Sequence, residues 1–365
     1  MKVLILYTAA LGLGHKRSAQ AIEKSIKKLY INAEVVTLNG LSESTTNLDR
    51  IIRVIRLTAI KLFPYLLKLI YKYEESILKT LKPIENSVYN YYKNKFDIII
   101  KKIKPDIIVC THAFPCTAIS KLNKDIPLIY VVTDFDILTY HLRTKADVVL
   151  VPNEEIKSKM SSMYKKIYVT GIPIDPEFSI KKNKNKLLSK FNLENKPTVL
   201  VLGGGSGIGY FEKIINLINN NYQIIACVGT NKNLKNKLES KFTKIKVFGY
   251  TKEIDEIYRV SDIVITKPGG VTSSELLAMQ LPILITNPLP GIEQKNSNYL
   301  VSKNVAINTS PFNELKSILN NLINDKKAIN LMKASAAKLA SPESAIKIAK
   351  IIKKYATAEH RISPS

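Results

Sequence analysis

The sequence predicts an α/β protein of two domains, each built on a parallel sheet layered with helices. Three observations carry that expectation. Short apolar runs alternate with longer amphipathic stretches along most of the chain. A strand-like run followed at once by a Gly-rich turn and a helical pattern occurs twice, from Lys2 and again from Thr198. At 365 residues the chain exceeds what one hydrophobic core ordinarily serves.

Lys2 to Tyr7 reads as the first strand. Thr8-Ala9-Ala10-Leu11-Gly12-Leu13-Gly14-His15 follows, then an amphipathic stretch from Lys16 to Lys28, with Ala19, Ile22 and Ile26 at helical spacing. Val35 to Leu38 is the second strand. This order is a Rossmann-like opening, but the full G-x-G-x-x-G is missing, which disfavours a nicotinamide cofactor. His15 stands where the loop enters the helix, at the carboxyl end of a strand, where open α/β sheets keep their sites. An imidazole there is partly neutral near pH 7 and able to take a proton from an alcohol. A surface or capping histidine fits the same position equally well.

Arg50 to Tyr73 holds six basic residues, no acidic one, and a dense set of aliphatic and aromatic side chains. Cations beside apolar groups suit an interfacial helix. They suit a core-covering helix with snorkelling Lys and Arg just as well. Pro64 interrupts any single long helix here. From Phe96 the alternation returns, with strands at Asp106–Cys110, Leu128–Thr133 and Asp147–Val151. His112 follows one of them, but Thr-His-Ala is too short a motif to assign.

Thr170 to Phe178 is Pro-rich, and Lys181 to Lys190 reads as an exposed basic helix. Thr198 to Leu202 begins the second unit and runs into Gly203-Gly204-Gly205-Ser206-Gly207-Ile208-Gly209, then the helical pattern Phe211–Ile218. Glycines let a backbone approach phosphate oxygens closely, and a serine hydroxyl can donate to them. Tyr222–Gly229, Ile245–Phe248, Asp262–Thr266 and Ile283–Thr286 supply further strands, and Ile254–Tyr258 a helix. Between the last two strands, Lys267-Pro268-Gly269-Gly270 precedes a short helix at Ser273–Gln280. A Gly turn entering a helix makes a backbone-lined anion site. Thr272 to Glu275 is also a T-x-x-E capping box, which needs no ligand. Pro342–Tyr355 is a terminal amphipathic helix, and Thr357–Ser365 reads as a disordered tail.

The formal net charge of +25 suits a polyanionic partner, nucleic acid or an anionic bilayer. With no Trp and no recognisable nucleic-acid module, nucleic acid is the poor candidate. Cys110, Cys116 and Cys227 have no C-x-x-C spacing, so reduced thiols in a cytoplasmic protein are expected. The four histidines, His15, His112, His141 and His360, make no metal motif. No apolar run reaches the ~18 residues of a membrane span. The apolar start reads as a buried strand and not as a signal peptide, because a Gly turn and a basic helix follow it at once.

Lys267-Pro-Gly-Gly, Glu275 and Pro290-Gly291-x-Glu293-x-x-Asn296 occur in an order and spacing that resemble the monogalactosyldiacylglycerol synthases and processive diacylglycerol glucosyltransferases, a branch of the GT-B glycosyltransferases. The resemblance implies two Rossmann-like domains facing across a cleft. Residues 1–170 would bind acceptor and membrane, residues 171–340 a UDP-sugar, and helix 341–356 would return to the first domain ahead of the tail 357–365. Gly12-Leu13-Gly14-His15 resembles the family's Gly-rich loop, with Leu13 where a Gly is usual; it implies His15 as the base. Val131-Val-Thr-Asp134 resembles a family motif and implies a supporting role for Asp134. Gly14, Gly203, Gly204, Gly205, Ser206 and Gly207, with Lys267, Gly269, Gly270 and Thr272, would surround the donor diphosphate. Phe248 and Tyr250 would hold the base, Glu275 the ribose, and Glu293, Gln294 and Asn296 the sugar. Ile292 stands where the family has Gln, which leaves glucose or galactose open.

Arg50, Arg53, Arg56, Lys61, Phe63, Tyr65 and Lys68 would meet acceptor and anionic membrane lipids. The implied reaction is inverting transfer of a hexose from a UDP-sugar to diacylglycerol, on the inner face of the cell membrane. No metal and no cofactor beyond the donor is implied, in keeping with the absence of a D-x-D motif. The alternative is a GT-B transferase for another lipid-linked acceptor, like the lipid II N-acetylglucosaminyltransferase. Oligomeric state is left open.

Overall fold

Strands buried on both faces need helices on both sides, and such strands are read as continuous apolar runs. The computed structural model of the chain follows that rule. It describes residues 1–9, 12–40, 82–122, 125–218 and 221–357, with single residues 58, 69, 73, 76, 77 and 80 between. The basic stretch with Arg50, Arg53, Arg56, Lys61, Phe63, Pro64, Tyr65 and Lys68, and the tail from 358, lie outside the described residues. The chain divides into two units: residues 1–176, 290–292 and 343–365 form one, residues 177–289 and 293–342 the other.

In the first unit the strands are β1 (Lys2–Tyr7), β2 (Glu34–Asn39), β3 (Ile107–Cys110), β4 (Leu128–Val131), β5 (Val148–Val151) and β6 (Ile167–Val169). They form one sheet in the order β2-β1-β3-β4-β5-β6. Every pairing is parallel; Leu4 lies opposite Val36 on one side and Ile108 on the other. Alternate residues supply opposite faces. Leu4, Leu6, Ile108 and Cys110 join Phe96 and Tyr92 of helix α2 (Lys82–Ile103) in one core. Val3, Ile5, Ile107 and Val109 join Ala19, Ile22 and Ile26 of helix α1 (Leu13–Leu29) in the other. Among the described residues of this unit three shorter helices follow: α3 (Ala113–Ile119), α4 (Thr139–Leu142) and α5 (Glu154–Met160). The terminal helix, Ser344–Ala356, places fully buried Ile348, Ala349 and Ile352 in the α1 core. Ser344 Oγ donates to Ile172 O at 2.8 Å, and the hydroxyls of Tyr168 and Tyr355 meet at 2.8 Å.

The second unit opens with α6 (Lys184–Lys190) and repeats the plan: β7 (Thr198–Leu202), α7 (Phe211–Ile218), β8 (Gln223–Cys227), α8 (Lys232–Lys241), β9 (Lys246–Phe248), α9 (Ile254–Val260), β10 (Ile263–Thr266), α10 (Gly270–Ala278), β11 (Ile283–Ile285), α11 (Ile292–Ser302), β12 (Ala306–Asn308), α12 (Leu315–Asn324) and α13 (Lys326–Leu339). The terminal helix is therefore α14. The sheet order is β12-β11-β10-β7-β8-β9, again all parallel.

In each sheet the first strand has later strands on both sides, so the connections diverge at its carboxyl end. Open α/β sheets bind ligands at such a switch point. Here the two places are the carboxyl ends of β1 and β3, and of β7 and β10.

Two expected helix starts that bear on the site are corrected. Helix α1 begins at Leu13, not Lys16, so Gly14 and His15 belong to its first turn, behind Gly12 at φ 139°. Helix α10 begins at Gly270, not Ser273. Gly269 is its N-cap and has no side chain to cap with, so Thr272 and Glu275 form no capping box. The first backbone bond, Ser273 N–H to Gly269 O at 2.9 Å, sets that start.

Candidate active site

At the switch point of the first sheet, His15 is half-buried beside Thr111, the residue that follows β3. Its Nδ1 lies 2.8 Å from Thr111 O and 3.0 Å from Thr133 Oγ1. A carbonyl oxygen can only accept, so Nδ1 carries the proton and the neutral ring keeps its lone pair on Nε2. Thr111 Oγ1 donates back to His15 O at 3.0 Å, fixing the backbone of the same turn. Both threonines are buried. The ring of His112 stands edge-on to His15, centroids 4.6 Å apart. Asp134 directly follows Thr133 and is half-buried. The Nδ1 side of the ring is thus held by Thr111 and Thr133, for neither of which the sequence predicts a role. The signal that finds Thr111 is its place after the strand next to β1.

Cys116, on α3 of this unit, and Cys227, on β8 of the other, are inert thiols. Burial, with Cys110 beside it, pushes the Cys116 thiol up, and burial alone pushes Cys227 up to about 12. Both remain neutral thiols across the physiological range.

At the switch point of the second sheet, two Gly turns lie after the adjacent strands β7 and β10. In the first, Gly203 and Gly207 are buried, and a Cβ on Gly207 would stand 2.0 Å from Val228 O. These two glycines serve packing. Gly204 is different: it is exposed, has φ +62°, and a Cβ there would meet nothing within 4 Å. Gly205 O accepts from Thr230 N–H at 3.0 Å, which pins the turn. Among the described residues, the amides of Gly204, Gly205 and Ser206 donate to no protein group.

The second turn leads into α10 with no side-chain cap. Among the described residues, nothing accepts from the amides of Gly270, Val271 and Thr272. Three free N–H groups and the positive end of a helix attract an anion. Beneath them, fully buried Asn296 donates through Nδ2 to Pro268 O at 3.0 Å, bracing the turn. Lys267 pairs with Glu293 at 3.1 Å, and Leu289 N–H donates to the same carboxylate at 2.9 Å. Gln294 Nε2 donates to Asn298 at 2.9 Å.

Glu275 lies in the second turn of α10 and is 1 % exposed. A buried carboxylate needs hydrogen-bond donors, and Tyr258 of α9 supplies one, OH to Oε2 at 3.3 Å. Helix α9 is itself anchored: Lys182 bridges Asp255 at 2.7 Å and Glu256 at 3.1 Å, and Arg259 donates to the carbonyls of Glu177 and Phe178. Phe248 turns its ring edge onto Phe191, and its carbonyl accepts from Val228 N–H at 2.9 Å. Tyr250 is exposed.

The described residues hold no group of three or more His, Cys, Asp or Glu suited to a metal. Among them, no helix is long and apolar enough to cross a membrane.

Residues 15–174 match the family model of monogalactosyldiacylglycerol synthase, and residues 198–354 that of the glycosyltransferase family 28 C-terminal domain. Processive diacylglycerol beta-glucosyltransferase of Bacillus cereus is 30% identical over 379 aligned residues, covering 100% of this chain and 95% of the relative. The chain belongs to the diacylglycerol glycosyltransferase family. The Bacillus anthracis member is similar to the same degree, 30% over 100% of this chain and 95% of its own.

Solved GT-B glycosyltransferases share the fold. MurG of Acinetobacter baumannii matches with a TM-score of 0.59 at 15% identity, over 97% of this chain and 100% of that one. The Medicago truncatula transferase UGT71G1, solved with UDP-glucose, matches at 0.60 and 13%, over 98% of both. This diacylglycerol glycosyltransferase is therefore an enzyme of the GT-B class, and the segments that match the family 28 model include both Gly turns.

Proposed function

We propose that the enzyme transfers a hexose from a UDP-sugar to the primary hydroxyl of diacylglycerol, with inversion, at a membrane surface. The observation that carries this reading is the His15 tautomer: Nδ1–H is held by Thr111 O, and Nε2 is left as the base. The hydroxyl proton goes to Nε2 as the oxygen forms a bond to the anomeric carbon. The bond from that carbon to the diphosphate breaks with its electron pair, and UDP leaves from the opposite face. An α-linked donor then gives a β-glycoside.

The second unit is suited to the donor. Its diphosphate would lie on the amides of Gly204 to Ser206 and of Gly270 to Thr272, with Lys267 supplying charge. Glu275 would accept from the ribose hydroxyls, held by Tyr258. Three of the structural neighbours were solved with UDP or UDP-glucose, which supports this donor class. The named relatives support glucose and diacylglycerol. The net charge of +25 supports an anionic bilayer as the place of reaction.

Incubating the protein with diacylglycerol in anionic vesicles and UDP-glucose, UDP-galactose or UDP-N-acetylglucosamine, each in turn, tests this. A β-linked glycosyldiacylglycerol, identified by its anomeric proton coupling, is expected from one hexose donor. An α-linked product would end the inverting reading, and no glycolipid from any donor would end the whole proposal.

A further inference from the structure

Two consecutive residues after β3 touch the base, and the second has a task of its own. His112 is the N-cap of α3, with extended backbone, φ −145° and ψ 144°. Its Nδ1 accepts from Phe114 N–H at 3.0 Å. An amide can only donate, so Nδ1 must stay unprotonated, and the one proton of the ring sits on Nε2. A second proton would set two N–H groups against each other and break the cap. His112 is thus bound to the neutral state by the helix it starts.

That ring lies at 90° to His15 with centroids 4.6 Å apart, and it is only 5 % exposed. It also stacks with Tyr140 at 6.3 Å, and Tyr140 stacks on His141 at 4.0 Å. Nearest in sequence to the residues that touch His15 are the charged Lys16 and Arg17 on α1 and Asp134 after β4; α2, packed on α3, adds Tyr89 and Tyr92 against Phe114, and Glu85 paired with Arg143. His15 becomes a cation when it takes the hydroxyl proton. A charged neighbour at this separation in a half-buried site would oppose that step, whereas a neutral ring edge-on to it does not.

We propose that His112 is a positioning residue for the base: tied in its neutral form to the amino end of α3, it fixes the His15 ring and keeps a second positive charge away as that ring is protonated. The inference rests on His15 as the base of the proposed reaction.

Two experiments on the full chain test it. Histidine-selective 15N labelling, with the four histidines assigned by single substitutions, follows each ring through a pH titration. His112 should keep an unprotonated Nδ1 throughout the titration of His15; its charging in the same pH range or above would overturn the proposal, whether or not turnover has been found.

The second experiment compares His112→Asn, which keeps a capping side chain, with His112→Ala, which does not. His112→Asn should melt like the wild type and keep the UDP-sugar KM within twofold, while kcat falls at least tenfold. His112→Ala should lose the same kcat and melt lower as well. A His112→Asn kcat within twofold of wild type would reduce His112 to a helix cap. Absence of any wild-type glycolipid would instead count against the reaction itself, and the titration would still decide the role of His112.

Discussion

Replacing Gly204 by Ala separates a glycine kept for a ligand from one kept for packing. Gly204 has φ +62°, so an alanine there carries the left-handed strain of about 1–2 kcal/mol. It meets no neighbour, because a Cβ has nothing within 4 Å. The variant should therefore fold and melt only a few degrees lower, at roughly 2–4 °C per kcal/mol for units of this size. Gly207 carries the same strain at φ +61° and adds a Cβ only 2.0 Å from Val228 O, so Gly207→Ala should lose about 4 kcal/mol or more. The informative quantity is UDP affinity, measured by titration calorimetry on folded Gly204→Ala. If a diphosphate oxygen lies against the Gly204 amide, the new methyl occupies its approach, and Kd should rise at least tenfold, which is about 1.4 kcal/mol. Wild-type affinity in a folded Gly204→Ala protein would refute the placement of the diphosphate on this turn.

Three further outcomes follow from the site. His15→Ala should lower kcat by about 100-fold or more, the range of general-base catalysis, while UDP binding stays unchanged in the same calorimetric assay. Tyr258→Phe leaves the buried Glu275 carboxylate short of a donor, so urea unfolding should show a loss of about 1–3 kcal/mol, with a raised donor KM and little change in kcat. The Glu256 carboxyl is held below its ordinary value by Lys190 first and Lys182 second. Its contribution is present above the ordinary carboxylate value of 4.5 and is lost as pH falls through the lowered one. Melting temperature measured downward from pH 5 should fall more gently in Glu256→Gln than in wild type, and parallel curves would discount the cluster that anchors α9.

Much of the architecture was legible because the inner strands are buried on both faces. Thr198–Leu202 and Phe211–Ile218 have the bounds their patterns predict, since a five-residue apolar run and a helix-period run each have one reading there. The start of α10 was not legible. Thr272 and Glu275 have the chemistry of a capping box, but the backbone turns helical two residues before Thr272, at a glycine with nothing to cap with.

The partners of the site residues were less legible still. Thr111 reaches His15 across 96 residues of sequence, and Tyr258 reaches Glu275 across 17, distances over which no periodicity speaks. Asn296 is a third case: its place in the motif was readable, but not that its Nδ2 donates to Pro268 O across 28 residues, a pairing only the folded turn decides.

The helix that completes the amino-terminal unit is encoded almost at the far end of the chain. Val3, Ile5 and Ile22 gain Ile348 and Ile352 as neighbours only once residue 352 exists. During synthesis the first half of the protein must therefore wait, with one face of its α1 layer uncovered, until the entire second half has emerged. The unit made first is closed last, and a ribosome that stops short of α14 leaves behind a folded second unit and an unfinished first one.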